Sequence, residues 1–133
     1  MIRVRPATAA DAPRIVKILD EADLRYQQET FNGFLLAEKA GEVTGVVRLE
    51  EHPDFIFLTS LGVAAAHQHQ GVATALLNYV LQAVRQPIYL YTVIPDFFRR
   101  FGFRETIPLP GLPDKTIYGC NACFPGQCVV MVK

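Results

Sequence analysis

The stretch His67-Gln-His-Gln-Gly-Val-Ala-Thr-Ala-Leu-Leu77 passes from a polar loop into an apolar helix at Gly71. A helix start normally carries Ser, Thr, Asp or Asn as its cap and acidic residues in its first turn. Neither is found here, and no acidic side chain occurs from His67 to Val84. An uncapped start presents several backbone N–H groups and the positive end of a dipole of about half a charge. Together these make an anion site. Gly71 and Ala73 lack the bulk that would hold a ligand off the backbone, and Thr74 adds a hydroxyl donor. Leu61-Gly-Val63 ends the preceding strand, so strand, loop and helix start converge where a phosphate could sit. Water and the loop's own side chains are the competing cap. Other phosphate patterns fit worse: a P-loop needs a Lys after its second glycine, and a dinucleotide fingerprint needs three spaced glycines after the first strand.

The elements that must position this loop are legible from pattern. Ile2 to Arg5 alternates as a short strand. Thr8-Ala-Ala-Asp11 resembles a capping box, and Ile15, Ile18, Leu19 and Ala22 follow at helical spacing. Phe34–Ala37 and Val43–Leu49 read as a hairpin turning at Gly41-Glu42, with a third long strand over Phe55–Val63. Gly71 to Val84 is helical, with Leu76, Leu77, Val80, Leu81 and Val84 on one face, until Pro87 breaks it. Ile88–Val93 is β-rich, and Pro95 opens a short helix that ends at Gly102 in a left-handed cap. Phe103–Ile107 and Cys128–Val132 are further strands, separated by a Pro-rich loop from Pro108 to Pro113. The expected order is β-α-(short α)-β-β-β-α-β-α-β-β.

At 133 residues, half apolar and a fifth charged, the chain reads as one globular domain over 1–133 with a core of its own. Its formal net charge of zero argues against nucleic-acid binding driven by bulk electrostatics. No apolar run approaches the ~20 residues of a membrane span. The start MIRVRPATAAD lacks the apolar region of a signal peptide, so a reduced, cytoplasmic protein is expected. Cys120, Cys123 and Cys128 suggest metal by their spacing, but zinc usually takes four ligands. The nearest histidine, His69, is far back in sequence, so the reading is no metal and buried free thiols, with a Cys120–Cys123 redox pair as the alternative.

Val63-Ala-Ala-Ala-His-Gln68-His-Gln-Gly71-Val-Ala73 resembles the acetyl-CoA-binding motif Q/R-x-x-G-x-G/A of the GNAT family of N-acetyltransferases. Gln68, Gly71 and Ala73 fill its fixed places. A second family element, a short helix ending Phe-Tyr-x-x-x-Gly-Phe, is similar to Phe97-Phe98-Arg-Arg-Phe-Gly102-Phe103. The resemblance implies an α+β fold with a mixed, mostly antiparallel sheet of six to seven strands flanked by about four helices. It also implies acetyl-CoA as cosubstrate. The pyrophosphate would rest on backbone N–H groups of Gln68, His69, Gln70, Gly71, Val72, Ala73 and Thr74. The pantetheine arm would lie along Leu61 and Val63, where the central strands splay, with Phe98 nearby.

The implied reaction is attack of an amine on a thioester. It needs a base, donors for the developing oxyanion and an outlet for the thiolate. Glu50, Glu51 and Ser60 are the candidates for the base, with His52 next to the two glutamates. Phe98 stands where the family often has a proton-donating Tyr, so Tyr91, with Tyr89 and Thr92 near it, is the substitute by proximity. Arg99 and Arg100 could meet phosphates or an acidic substrate, although such arginines are often only solvated. The tail Leu112-Pro-Asp-Lys115, Cys120-x-x-Cys123-Phe-Pro and Cys128-Val-Val-Met131 is similar to stand-alone acetyltransferases related to N-acetylglutamate synthase. There Phe-Phe before the Gly-Phe is common, and the acceptor would be a small amino acid or an analogue. Arg48, Arg25 and Lys115 are candidates for holding its carboxylate. The expected partner is thus a small-molecule amine, with no nucleic acid and no membrane, and the exposed edges of a mixed sheet suit a homodimer. The rival classes are an acyl-CoA sensor without turnover and a nucleotide-binding domain that uses the same helix start.

Overall fold

A computed structural model describes residues 2–21, 32–92, 94–107 and 129–133. The strands are β1 (Ile2–Pro6), β2 (Phe34–Lys39), β3 (Glu42–Glu51), β4 (Ile56–Val63), β5 (Ile88–Thr92), β6 (Arg104–Thr106) and β7 (Val129–Val132). Among the described residues the α-helices are α1 (Ala12–Glu21), α2 (Val72–Ala83) and α3 (Pro95–Arg99), and 3-10 turns cover Ala9–Asp11 and Ala65–His67. The short helix expected before β2, Ala22, Val93, the Pro108–Pro113 loop and all three cysteines lie outside the described residues. No helix of the described residues is long and apolar enough to cross a membrane.

The strands form one seven-stranded sheet in the order β1-β2-β3-β4-β5-β7-β6. Every neighbouring pair is antiparallel except β4 with β5, which α2 joins as a parallel crossover. Side chains alternate between the two faces of a strand, and the sheet uses both. On one face Ile15, Ile18 and Leu19 of α1 bury against Phe34, Leu36, Val43, Val46 and Ala64. On the other, Val72, Leu76, Leu77 and Val80 of α2 pack on Ala37, Val47, Ile56, Leu58, Ile88, Leu90 and Met131. Leu81 and Val84, expected on that stripe, are only partly buried, because α2 ends at Ala83 and Val84 is already extended.

Boundaries differ from expectation where backbone conformation decides them. The hairpin turns on Ala40-Gly41, not Gly41-Glu42: both have positive φ (53° and 80°), the conformation whose twist matches a two-residue hairpin. Glu42 therefore already belongs to β3. Gly71 is the cap of α2 and not its first helical residue, with φ 83° in the left-handed region.

The Thr8–Asp11 capping pair forms, but it closes onto the 3-10 turn that leads into α1. The Asp11 carboxylate accepts the Thr8 N–H at 2.8 Å and takes two N–H bonds from Arg5, each 2.9 Å. Arg5 also pairs with Glu38. The Arg5 guanidinium, with the Thr8 N–H, holds the Asp11 carboxyl well below its ordinary value of 3.8. A carboxyl whose folded value is depressed stabilises the fold above its unfolded value and loses that contribution as pH falls below it. Asp11→Asn should therefore cost about 1–2 kcal/mol at pH 7. The gap to wild type should narrow at about pH 2.5, where the unfolded chain takes up the proton. Denaturant unfolding of both proteins at the two pH values checks this.

Candidate active site

The β4–β5 pairing stops early. Ile56 faces Ile88 and Phe57 faces Tyr89, and no further rungs join the two strands among the described residues. Beyond that point β4 runs on to Val63 while β5 pairs with β7 through Leu90↔Met131, Tyr91↔Val130 and Thr92↔Val129. The strands therefore part and leave an edge of β4 backbone facing the gap. A bulge lies in this stretch: Val46 pairs with Gly62 and Arg48 with Thr59, so Ser60 and Leu61 together oppose the single residue Val47. Ser60 takes a positive φ of 56° and is buried. A bulge bends and twists its strand, which is how β4 leaves β5. The sequence carries no clear signal for it, since Ser is an uncommon choice for that conformation.

Past the bulge, Leu61 and Val63 are partly buried against the α2 side, and the chain turns through Ala65–His67 to the helix start. Ala75 donates the first helical bond to the Gly71 carbonyl at 3.0 Å. The N–H groups of Val72, Ala73 and Thr74 precede it, and among the described residues no side chain caps them. A Cβ on Gly71 would meet nothing within 4 Å, so φ and not crowding selects glycine within the chain itself. Gln68, His69 and Gln70 are exposed, and His69 also adopts positive φ (64°). His67 instead turns toward the hairpin, with Nε2 3.6 Å from the Glu42 carboxylate. The Val72 side chain is in the core, so this residue can offer a ligand only its backbone.

Glu50 lies on β3 opposite Phe57. Its Oε2 accepts from Arg48 Nη1 at 2.8 Å, and its Oε1 lies 3.2 Å from His52 Nε2. Arg48 and Glu50 alternate on β3 and so share a face, and His52 follows directly after the strand ends at Glu51. The sequence names Arg48 as a candidate for an acceptor carboxylate, whereas the structure pairs it with Glu50. Arg48 Nε also donates to the Asn32 carbonyl at 3.3 Å. His52 stacks on Phe55, and Phe55 meets Tyr89 edge-on. Tyr91 meets Phe57 edge-on at 5.1 Å, at the lip of the gap on the β5 side. Thr92 Oγ1 accepts the Ile94 N–H at 2.9 Å, just ahead of α3.

Phe98 is buried, its ring set edge-on to Phe97 and Phe103. It brings an apolar surface and no proton. Arg99 pairs with Asp96 and, at 2.9 Å, with Glu105, while Arg100 lies over the Phe97 ring. Glu51 ends β3 exposed, and a separate pocket of about 460 Å³ beside it lies at the other end of α2 from the uncapped start. Arg25, Lys115 and the three cysteines lie outside the described residues.

Among the described residues the sheet opens at its one parallel pair of strands, beside the start of α2. The model of the acetyltransferase (GNAT) family matches residues 4–103, and the chain belongs to that family. Solved structures share the fold. A Mycobacterium tuberculosis protein in complex with CoA is 21% identical at a TM-score of 0.76, covering 98% of this chain and 97% of that one. N-acetylglutamate synthase from Neisseria gonorrhoeae, complexed with coenzyme A and N-acetyl-glutamate, is 17% identical at 0.76, and this chain spans only 35% of its length. The ribosomal-protein-S18-alanine N-acetyltransferase of Escherichia coli is 15% identical at 0.74, over 99% and 92% of the two chains.

The helix start owes its position to Gly45. A Cβ there would lie 2.5 Å from Val72 Cγ1 and 3.2 Å from the Gly62 carbonyl oxygen. Gly45→Ala should push α2 off the sheet, cost about 1–3 kcal/mol of stability and weaken acetyl-CoA binding. Gly45→Ala combined with Val72→Ala should recover much of the binding, because the clash is then relieved. Calorimetric titration of the two variants checks both.

Proposed function

We propose that the protein transfers an acetyl group from acetyl-CoA to the amine of a small molecule, by direct transfer in a ternary complex. The observation that carries this reading is the parting of β4 from β5 next to the uncapped N–H groups of Val72, Ala73 and Thr74. A phosphate-bearing thioester fits that arrangement: donors for the anion at one end, and a backbone edge along Leu61 and Val63 leading toward Ser60. Gln68, His69, Gln70 and Gly71 complete the cradle, and Phe98 supplies apolar surface. When bound, acetyl-CoA supplies an activated acyl carbonyl.

The chain's own residues then have distinct tasks. A primary alkyl ammonium has a pKa near ~10, so its proton must be removed before attack. Glu50 is the base in this reading; Arg48 and His52 fix the direction of its carboxylate. A proton taken at Oε1 has His52 Nε2 as its next station. The backbone at the Ser60 bulge offers donors to the carbonyl oxygen, and Tyr91, across the gap, offers a hydroxyl to the departing thiolate. Nothing near Cys120, Cys123 or Cys128 in sequence activates a nucleophile, so the reading contains no acyl-enzyme. An amino acid or an analogue suits the acceptor: Arg48 faces the same side as Glu50, and the Neisseria relative is complexed with N-acetyl-glutamate.

The second reading is an acyl-CoA-binding module without turnover. It is favoured by Phe98, which has no proton to give, and by the engagement of both Glu50 oxygens. Calorimetry with acetyl-CoA, ATP and NAD should show saturable binding of acetyl-CoA alone, and an amine panel should then release CoA thiol. Binding without thiol release from any amine selects the sensor reading, while preference for ATP or NAD rejects both. In a turning-over protein, Glu50→Gln should lower kcat about 100-fold and leave the KM for acetyl-CoA within two-fold.

A further inference from the structure

Glu21 is the last described residue of α1. Its Oε1 accepts the N–H of Ala65 at 3.0 Å, from 44 positions away.

Ala65 opens the 3-10 turn that starts the loop to α2. The residue before it, Ala64, has no side chain able to cap that turn. The neighbouring anchors are backbone bonds: Ala64 N–H to the Thr44 carbonyl and His67 N–H to the Ala64 carbonyl, both 2.8 Å. The other side-chain link is weaker. Glu42 stands 3.4 Å from Arg14 Nη2 and 3.6 Å from His67 Nε2, both beyond a good hydrogen bond. His67 Nδ1 is buried with no partner, so the ring adds little to holding the turn.

We infer that Glu21 is a positioning residue: its carboxylate serves as the cap that Ala64 cannot provide, and it fixes the loop from which Gln68 to Thr74 present their N–H groups. The inference rests on the acetyl-CoA reading for what the loop holds, but not for the tie itself. The carboxylate brings a negative charge toward an anion site, so an amide in its place keeps the acceptor and drops the repulsion.

The test compares wild type, Glu21→Ala and Glu21→Gln, with no ligand and with acetyl-CoA. In the ligand-free protein, Glu21→Ala should speed amide hydrogen exchange at Ala65 to His67 about ten-fold and leave the β3 amides unchanged. Its Kd for acetyl-CoA should rise about five-fold with kcat at saturation unchanged. Glu21→Gln should stay within two-fold of wild type in exchange and bind at least as tightly. A residue that served only α1 would leave exchange at Ala65 to His67 unchanged in both variants. Unchanged exchange in Glu21→Ala, or a Gln variant as impaired as the Ala variant, overturns the tie. Faster exchange with unchanged Kd overturns the positioning role. If wild type itself does not bind acetyl-CoA, the functional reading fails and the role with it, while exchange still decides the tie.

Discussion

A β-sheet gains its cohesion from rungs, and this one gives up several in its centre. Between β4 and β5 the pairing ends at Phe57↔Tyr89, although β4 continues to Val63. The backbone groups released along that edge need partners, because unpaired polar groups away from water are costly. The bulge at Ser60 and Leu61 is what sets the two strands apart, and the arrangement around it follows. β5 takes β7 as its partner in the same stretch, α2 spans the opening from Val72 to Ala83, and the loop ahead of α2 lies at the open end.

The same constraint explains the glycine and alanine usage on the α2 side. Val72 closes on Gly45, and any larger residue there would meet both Val72 and the Gly62 carbonyl. The helix thus sits low on the sheet, and its first N–H groups come close to the end of β4. The anion site we propose is made from backbone held in place by packing and not from charged side chains. That agrees with a chain whose formal net charge is zero.

Much of this was legible in the sequence because period and punctuation are local. Ile15, Ile18 and Leu19 gave α1, Leu76, Leu77 and Val80 gave α2, and Pro95 and Gly102 bracketed the short helix and its left-handed end. The uncapped start at Gly71 and the family resemblance were readable for the same reason. What was hidden was set by contacts distant in sequence. Nothing in Thr59-Ser60-Leu61 marks a bulge, because the bulge is a property of its register with Val47. Nothing in Asp20-Glu21 points to Ala65, and the Arg48–Glu50–His52 chain becomes visible only once β3 is known to run to Glu51. Glu50, His52 and Arg48 are all named by the sequence, but not the pairing that aims the Glu50 carboxylate.

The two rungs at Ile56 and Phe57 also make the molecule mechanically uneven. On one side stand β1 to β4, joined by long antiparallel ladders with α1 packed on them; on the other stand β5, β7 and β6, drawn from chain positions 88 to 132. The seam between them is the shortest line along which the sheet can yield. Small relative rotations of the two halves cost little ladder, since only two pairs lie on the axis. What bridges the seam besides those two pairs is α2, which packs on strands of both halves. Assembly follows the same division: β2, β3 and β4 close over short loops, whereas the seam forms only after α2 has crossed over, a slower kind of closure.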